Sequence, residues 1–136
     1  MPCTNDPAIA DADDLWRRIA PEWVVLDENQ DEERGGRVRP SSAAFKDPSL
    51  SVLLAREDTP ERALRAWRDK GFSLASITAG LPRQDGLAVC RDQTDDDPSH
   101  CLVEGRKKRR VAEKLALAAT WVGEIPQPTR VKPRNR

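Results

Sequence analysis

Hydrophobic positions along this chain come in short clusters separated by charged and turn-forming stretches. Leu15-Trp16-Arg17-Arg18-Ile19 is the first apolar segment, stopped by Pro21. Trp23-Val24-Val25-Leu26 follows, and its β-branched and aromatic residues predict a short strand. From Asp27 to Gly36 the chain is polar and acidic and ends on Gly35-Gly36, which predicts a solvated loop. Leu50-Ser51-Val52-Leu53-Leu54-Ala55 is the clearest strand. Thr59-Pro60-Glu61 then supplies an N-cap, a proline at the first helical position and an acid in the first turn. With Leu64 and Trp67 on one face and Gly71 as the stop, this predicts a helix over 60–70.

Residues 72–78 alternate large apolar with small polar side chains, a period-2 strand signal, although Phe72, Leu74 and Ile77 do not keep one parity. Leu87-Ala88-Val89-Cys90 and Cys101-Leu102-Val103 flank a polar loop at 93–99 and predict an antiparallel hairpin with a long tip. Val111, Leu115, Ala118 and Val122 recur at +4, +3, +4, which predicts a final helix ended by Gly123. The sum is an α+β domain: a small, mostly antiparallel sheet of four to five strands with two main helices packed on one face. The domain spans 13–124, between a loose tail at 1–12 and a basic, proline-rich tail at 125–136. Its expected core is Trp16, Trp23, Phe45, Leu53, Leu64, Trp67, Leu74, Val89, Leu102, Leu115 and Trp121. No internal repeat is present.

Charge changes the picture more than composition does. The 136 residues hold 23 Lys+Arg against 23 Asp+Glu, and charged residues make up 34%, above the roughly 25% of an average protein. That balance is built from opposed ends: residues 1–33 sum to −8, residues 34–99 to +1 and residues 100–136 to +7. Asymmetry of this kind points to partners better than the total does. No apolar run approaches the roughly 20 residues of a membrane span, and no basic segment followed by an apolar one opens the chain. The expectation is a protein with no membrane partner. Three cysteines without a CxxC spacing do not resemble a disulfide framework, which suggests a reducing, cytoplasmic setting. Arg outnumbers Lys 17 to 6, a usage common in high-GC bacteria.

The single histidine, His100, is the one candidate for general-base chemistry. A base must meet its nucleophile in space, and adjacent His100 and Cys101 point to opposite faces of a strand. The structural role, a histidine at a strand entry beside an acidic turn, is the favoured one. Four aspartates lie within 92–97, but the segment lacks the central glycine and terminal glutamate of a calcium loop. Zinc would want clustered Cys and His. Neither a metal nor an organic cofactor is expected.

Gly35-Gly36-Arg37-Val38-Arg39-Pro40-Ser41-Ser42 lacks the Gly-Lys-Ser/Thr of a phosphate-binding P-loop. In an extended chain Arg37 and Arg39 share a face and could meet an anion; the competing role is closure onto the acids at 27–33. Arg106-Lys107-Lys108-Arg109-Arg110 stand where the last helix should begin, although cations at a helix N-terminus cost about 0.3–1 kcal/mol each. Either the helix starts later or an acidic group covers the cluster: an acidic protein partner, nucleic-acid phosphate, or the chain's own acidic segments.

Leu15-Trp16-Arg17-Arg18, then Gly35-Gly36-Arg37, then a strand and the 60–70 helix resemble RES-type domains of the ADP-ribosyltransferase-like group. The resemblance implies an NAD pocket; separately, an enzyme of NAD or nucleotide chemistry would bring Arg17, Ser42 and His100 together. Val38-Arg39 stands where that family has Trp-Asn, the chain has no Tyr, and Arg62, Arg65 and Arg68 occupy the helix that carries the family's glutamate. These departures imply lost chemistry. The leading expectation is therefore a non-catalytic interaction module of the accessory, immunity or antitoxin-like kind. It would dock an acidic protein partner through Arg37, Arg39 and Arg106 to Arg110, with nucleic-acid binding through the same cluster as the alternative.

Overall fold

The computed structural model describes residues 3–94 and 97–135. Its elements are β1 (Asp14–Ile19), β2 (Val24–Asp27), β3 (Arg37–Pro40), β4 (Ser49–Leu54), α1 (Pro60–Ala63), β5 (Ser73–Thr78), α2 (Gly80–Arg83), β6 (Ala88–Arg91), β7 (His100–Glu104), α3 (Arg109–Ala118), β8 (Thr120–Val122) and β9 (Arg130–Lys132). Six strands form an antiparallel sheet in the order β6-β7-β4-β1-β5-β8, and a second sheet runs β3-β2-β9. The fold is thus mixed α and β around a large antiparallel sheet, with more strands and shorter helices than the sequence pattern predicts.

Both faces of the large sheet are covered, because its strands carry apolar residues at both parities. Leu15, Ile19, Leu50, Val52, Leu54, Ala75, Ile77, Val89 and Val103 face α3 and the 3-10 turn Ser42–Phe45, where Val111, Leu115, Ala116 and the fully buried Phe45 complete the main core. Leu53 and Leu74 point the other way, onto Ala63 and Leu64, with Trp16, Trp67 and Phe72 packed around them. The broken parity of residues 72–78 reflects this two-sided burial. The helices accordingly lie on both faces, not one.

Two helices end earlier than predicted. Thr59 caps α1 as expected, accepting from the Arg62 amide at 3.2 Å. But the Ala63 carbonyl is taken by Arg18 Nε at 2.7 Å, so the Trp67 amide donates instead to Leu64. The chain slips into 3-10 turns, whose i, i+3 spacing suits Leu64 and Trp67. At α3, Arg37 donates to the carbonyls of Leu117 (2.7 Å) and Ala119 (2.5 Å) and caps the C-terminus. Thr120-Trp121-Val122 then leave as β8, with Trp121 Nε1 donating to Val38 O at 2.9 Å.

The described residues near both ends, 3–12 and 125–135, are tied to the rest of the fold. Cys3 is joined to Cys90 by a disulfide, Ile9 is fully buried, and the Asn5 side chain accepts from the Val89 amide while the Asp6 amide donates to Val89 O. Two of three cysteines are therefore paired, and the inference of a reducing compartment from an odd cysteine count loses its premise. No helix of the described residues is long and apolar enough to cross a membrane.

The disulfide closes a sequence separation of 87 residues, which restricts the unfolded chain by about 4–5 kcal/mol in the loop-entropy treatment. Cys3→Ser is expected to lose about 2–5 kcal/mol in urea unfolding without reductant. An unchanged midpoint would show that the bridge does not form in solution.

Candidate anion-docking cleft

The cationic residues singled out by the sequence do not form one patch. Arg39 is buried, with Nε donating to Asp27 Oδ2 at 2.8 Å and Nη1 to Pro40 O at 2.8 Å. Burial alone would raise the Asp27 carboxyl, but Arg39 and two bonds from Asn29 hold it below the usual carboxylate range. Lys107 is also buried, and its ammonium donates to the carbonyls of Pro48 (3.2 Å), Val103 (2.8 Å) and Gly105 (2.8 Å). Burial pushes it down to about 8. Arg106 and Lys108 are exposed. α3 does start inside the cluster, and acids compensate: Arg109 pairs with Glu113 at 3.2 Å and Arg110 lies 3.7 Å from Asp85.

Arg39 and Arg109 meet in a cleft of about 510 Å³. Its floor is Val25 and Arg39, from the adjoining strands β2 and β3. Ser42 comes from the 3-10 turn and Ser41 and Lys46 from its two caps, Arg109 and Glu113 from the first turns of α3, and Arg130, Val131 and Lys132 from β9. Asp27 balances Arg39 and Glu113 balances Arg109. Lys46, Arg130 and Lys132 have no carboxylate within ion-pair distance among the described residues, so the cleft carries a cationic surplus. A second hollow of about 250 Å³ is different: Arg18 pairs with Asp97 and Arg62 with Asp58, while Glu57 and Arg65 also line it. Its three arginines face three carboxylates, whereas the first cleft carries a cationic surplus.

Arg130 and Lys132 are hidden in the sequence by a proline-rich stretch that reads as a tail, and Lys46 by standing alone beside Asp47 with no cationic neighbour. The usable signal was Arg130-Val131-Lys132, a polar-apolar-polar alternation that suits a short strand.

His100 opens β7 with Nδ1 2.9 Å from the Asp92 carbonyl and 3.1 Å from its carboxylate. Cys101 lies on the opposite face, and burial pushes its thiol up to about 11, so it carries no thiolate at neutral pH. Arg17 and His100 line one small recess of about 30 Å³, whereas Ser42 lines the cationic cleft. The three residues that an enzyme of NAD or nucleotide chemistry would bring together do not converge. Asp95 and Asp96 of the acidic loop lie outside the described residues, and among the rest no group of three or more His, Cys, Asp or Glu could hold a metal ion.

No family model, curated protein or solved structure matches the chain. Its chemistry must therefore be read from the geometry alone.

Two predictions separate structural from docking cations. Lys107→Met removes an ammonium that donates to three carbonyls, that of Val103 buried, and should cost about 1–3 kcal/mol in urea unfolding, while Arg106→Ala and Lys108→Ala stay within about 0.5 kcal/mol; equal effects would contradict this division. Arg39→Met leaves the buried Asp27 carboxylate unpaired and should destabilise by about 3–5 kcal/mol at neutral pH. Because the folded Asp27 pKa lies below its unfolded value, near 4, the pair's contribution is complete above about pH 4 and is lost as pH falls through the folded pKa. The gap between wild type and variant should narrow in acid; a constant gap would sink this assignment.

Proposed function

We propose that this protein is a non-catalytic interaction module of the accessory-subunit kind, which docks an acidic surface of a protein partner in the cationic cleft. The supporting observation is the surplus of Lys46, Arg130 and Lys132 around a floor in which Arg39 is already balanced by Asp27, in a concavity lined from five elements. A cleft of one sign focuses its field, steers an oppositely charged partner and rejects others. The residues that do this differ in part from the cluster at 106–110. Arg109 contributes to the cleft, Arg110 turns to Asp85, Lys107 serves the fold, and Arg37 caps α3.

A protein partner is preferred to nucleic acid because no aromatic side chain lines the cleft to stack a base. Lys46, Arg130 and Lys132 are exposed and make no side-chain hydrogen bond among the described residues, so their replacement leaves the fold intact. Lys46→Glu/Arg130→Glu/Lys132→Glu should weaken binding of a fluorescent glutamate-rich peptide about tenfold or more by anisotropy, while Arg62→Glu/Arg65→Glu leaves it unchanged. Equal affinity of the triple variant would refute docking in this cleft. Tighter binding of a single-stranded oligonucleotide than of the peptide, with a steep salt dependence, would replace the protein partner by nucleic acid.

A further inference from the structure

We infer that the partner's acidic segment binds in extended form, as a strand added to the free edge of β9; this rests on the docking reading above. β9 pairs in parallel with β2 through Val25↔Arg130, Leu26↔Val131 and Asp27↔Lys132, and stands last in the order β3-β2-β9. No strand pairs with its other edge among the described residues. At β6, an edge of the large sheet, the chain behaves differently: both the amide and the carbonyl of Val89 are bonded to the N-terminal segment, which covers that edge. An open edge is a template for another chain, and main-chain hydrogen bonds then supply affinity while flanking pockets supply specificity.

Charge selects the occupant. Arg130 and Lys132 flank Val131, and cations on an edge strand normally blunt it against self-association. The same cations that repel a second copy of β9 attract a carboxylate-bearing chain. Among the described residues Val131 is one of three large apolar side chains left exposed, at 58%, and it lines the cleft. An extended segment that alternates acidic with apolar residues meets both features, since successive side chains of a strand point to opposite faces. Its carboxylates face the cationic surplus, and its apolar residues have Val131 to cover.

The test uses the intact protein and a synthetic peptide of about eight residues that alternates glutamate and valine, in three forms: unmodified, N-methylated at the glutamates, and N-methylated at the valines. In a strand all amides of one phase point to the same edge. Pairing with β9 therefore predicts that one methylated peptide binds about tenfold or more weakly than the parent, through loss of the amide bonds and the bulk of the methyl groups. The other methylated peptide should bind like the parent. If the two methylated peptides bind alike, whether both fully or not at all, strand addition is wrong while acidic docking survives through the parent. If the unmodified peptide itself fails to bind, both strand addition and acidic docking fall.

Discussion

Taking Asp27 and Arg39 out of water costs several kcal/mol per ion, and only a well-directed contact with its remaining bonds satisfied returns that cost. The pair meets this condition, and much of the structure around the cleft is organised from it. Arg39 donates to Asp27 across the β2–β3 pairing and to the Pro40 carbonyl, which fixes a cation in the floor of the cleft. The other oxygen of Asp27 accepts from the backbone and side chain of Asn29. The Asn29 amide in turn donates to Pro133 O at 3.1 Å and accepts from the Asn135 amide at 2.7 Å. One buried carboxylate thereby reaches the floor of the cleft and, through Asn29, the segment that carries β9. Close packing at this point also explains Gly36: a Cβ there would sit 2.9 Å from the Asp27 carbonyl, at a φ of 120°.

The opposed charges of the two ends resolve into specific pairings. Acids of the first third are met by mid-chain arginines, Asp11 by Arg83, Asp13 by Arg56 and Asp27 by Arg39, and at the tail Arg134 lies 3.7 Å from Glu32. The basic run at 106–110 receives nothing from the N-terminal third. Its Arg109 and Arg110 turn instead to Glu113 and Asp85. Net zero charge thus conceals a set of specific local pairings and a cationic excess in one cleft, where the tail, the 3-10 turn and α3 converge.

Local chemistry made much of the fold legible in the sequence: the strand at 50–55, the Thr59 cap and the hairpin of β6 and β7 all follow from periodicity and turn residues. What stayed hidden depends on contacts distant in sequence. Arg18 stops α1 by taking the Ala63 carbonyl across 45 positions, and Arg37 ends α3 from 80 positions away. The covalent link of Cys3 to Cys90 and the pairing of β9 with β2 are equally non-local. The site suffered most, because Arg39 and Arg109 were each visible as cations but no spacing along the chain says that they share a cleft, or that Lys107 and Arg37 do not.

The central claim is that acidic ligands enter the cleft bounded by the 3-10 turn, α3 and β9. Mapping backbone amide chemical shifts of the labelled protein during titration with a glutamate-rich peptide tests it most directly. The account predicts saturable shifts concentrated at Arg39, Ser41, Ser42, Arg109 and residues 130–132, fading as salt is raised. Shifts centred instead on Arg18, Arg62 and Arg65, or none at saturating peptide, would contradict it.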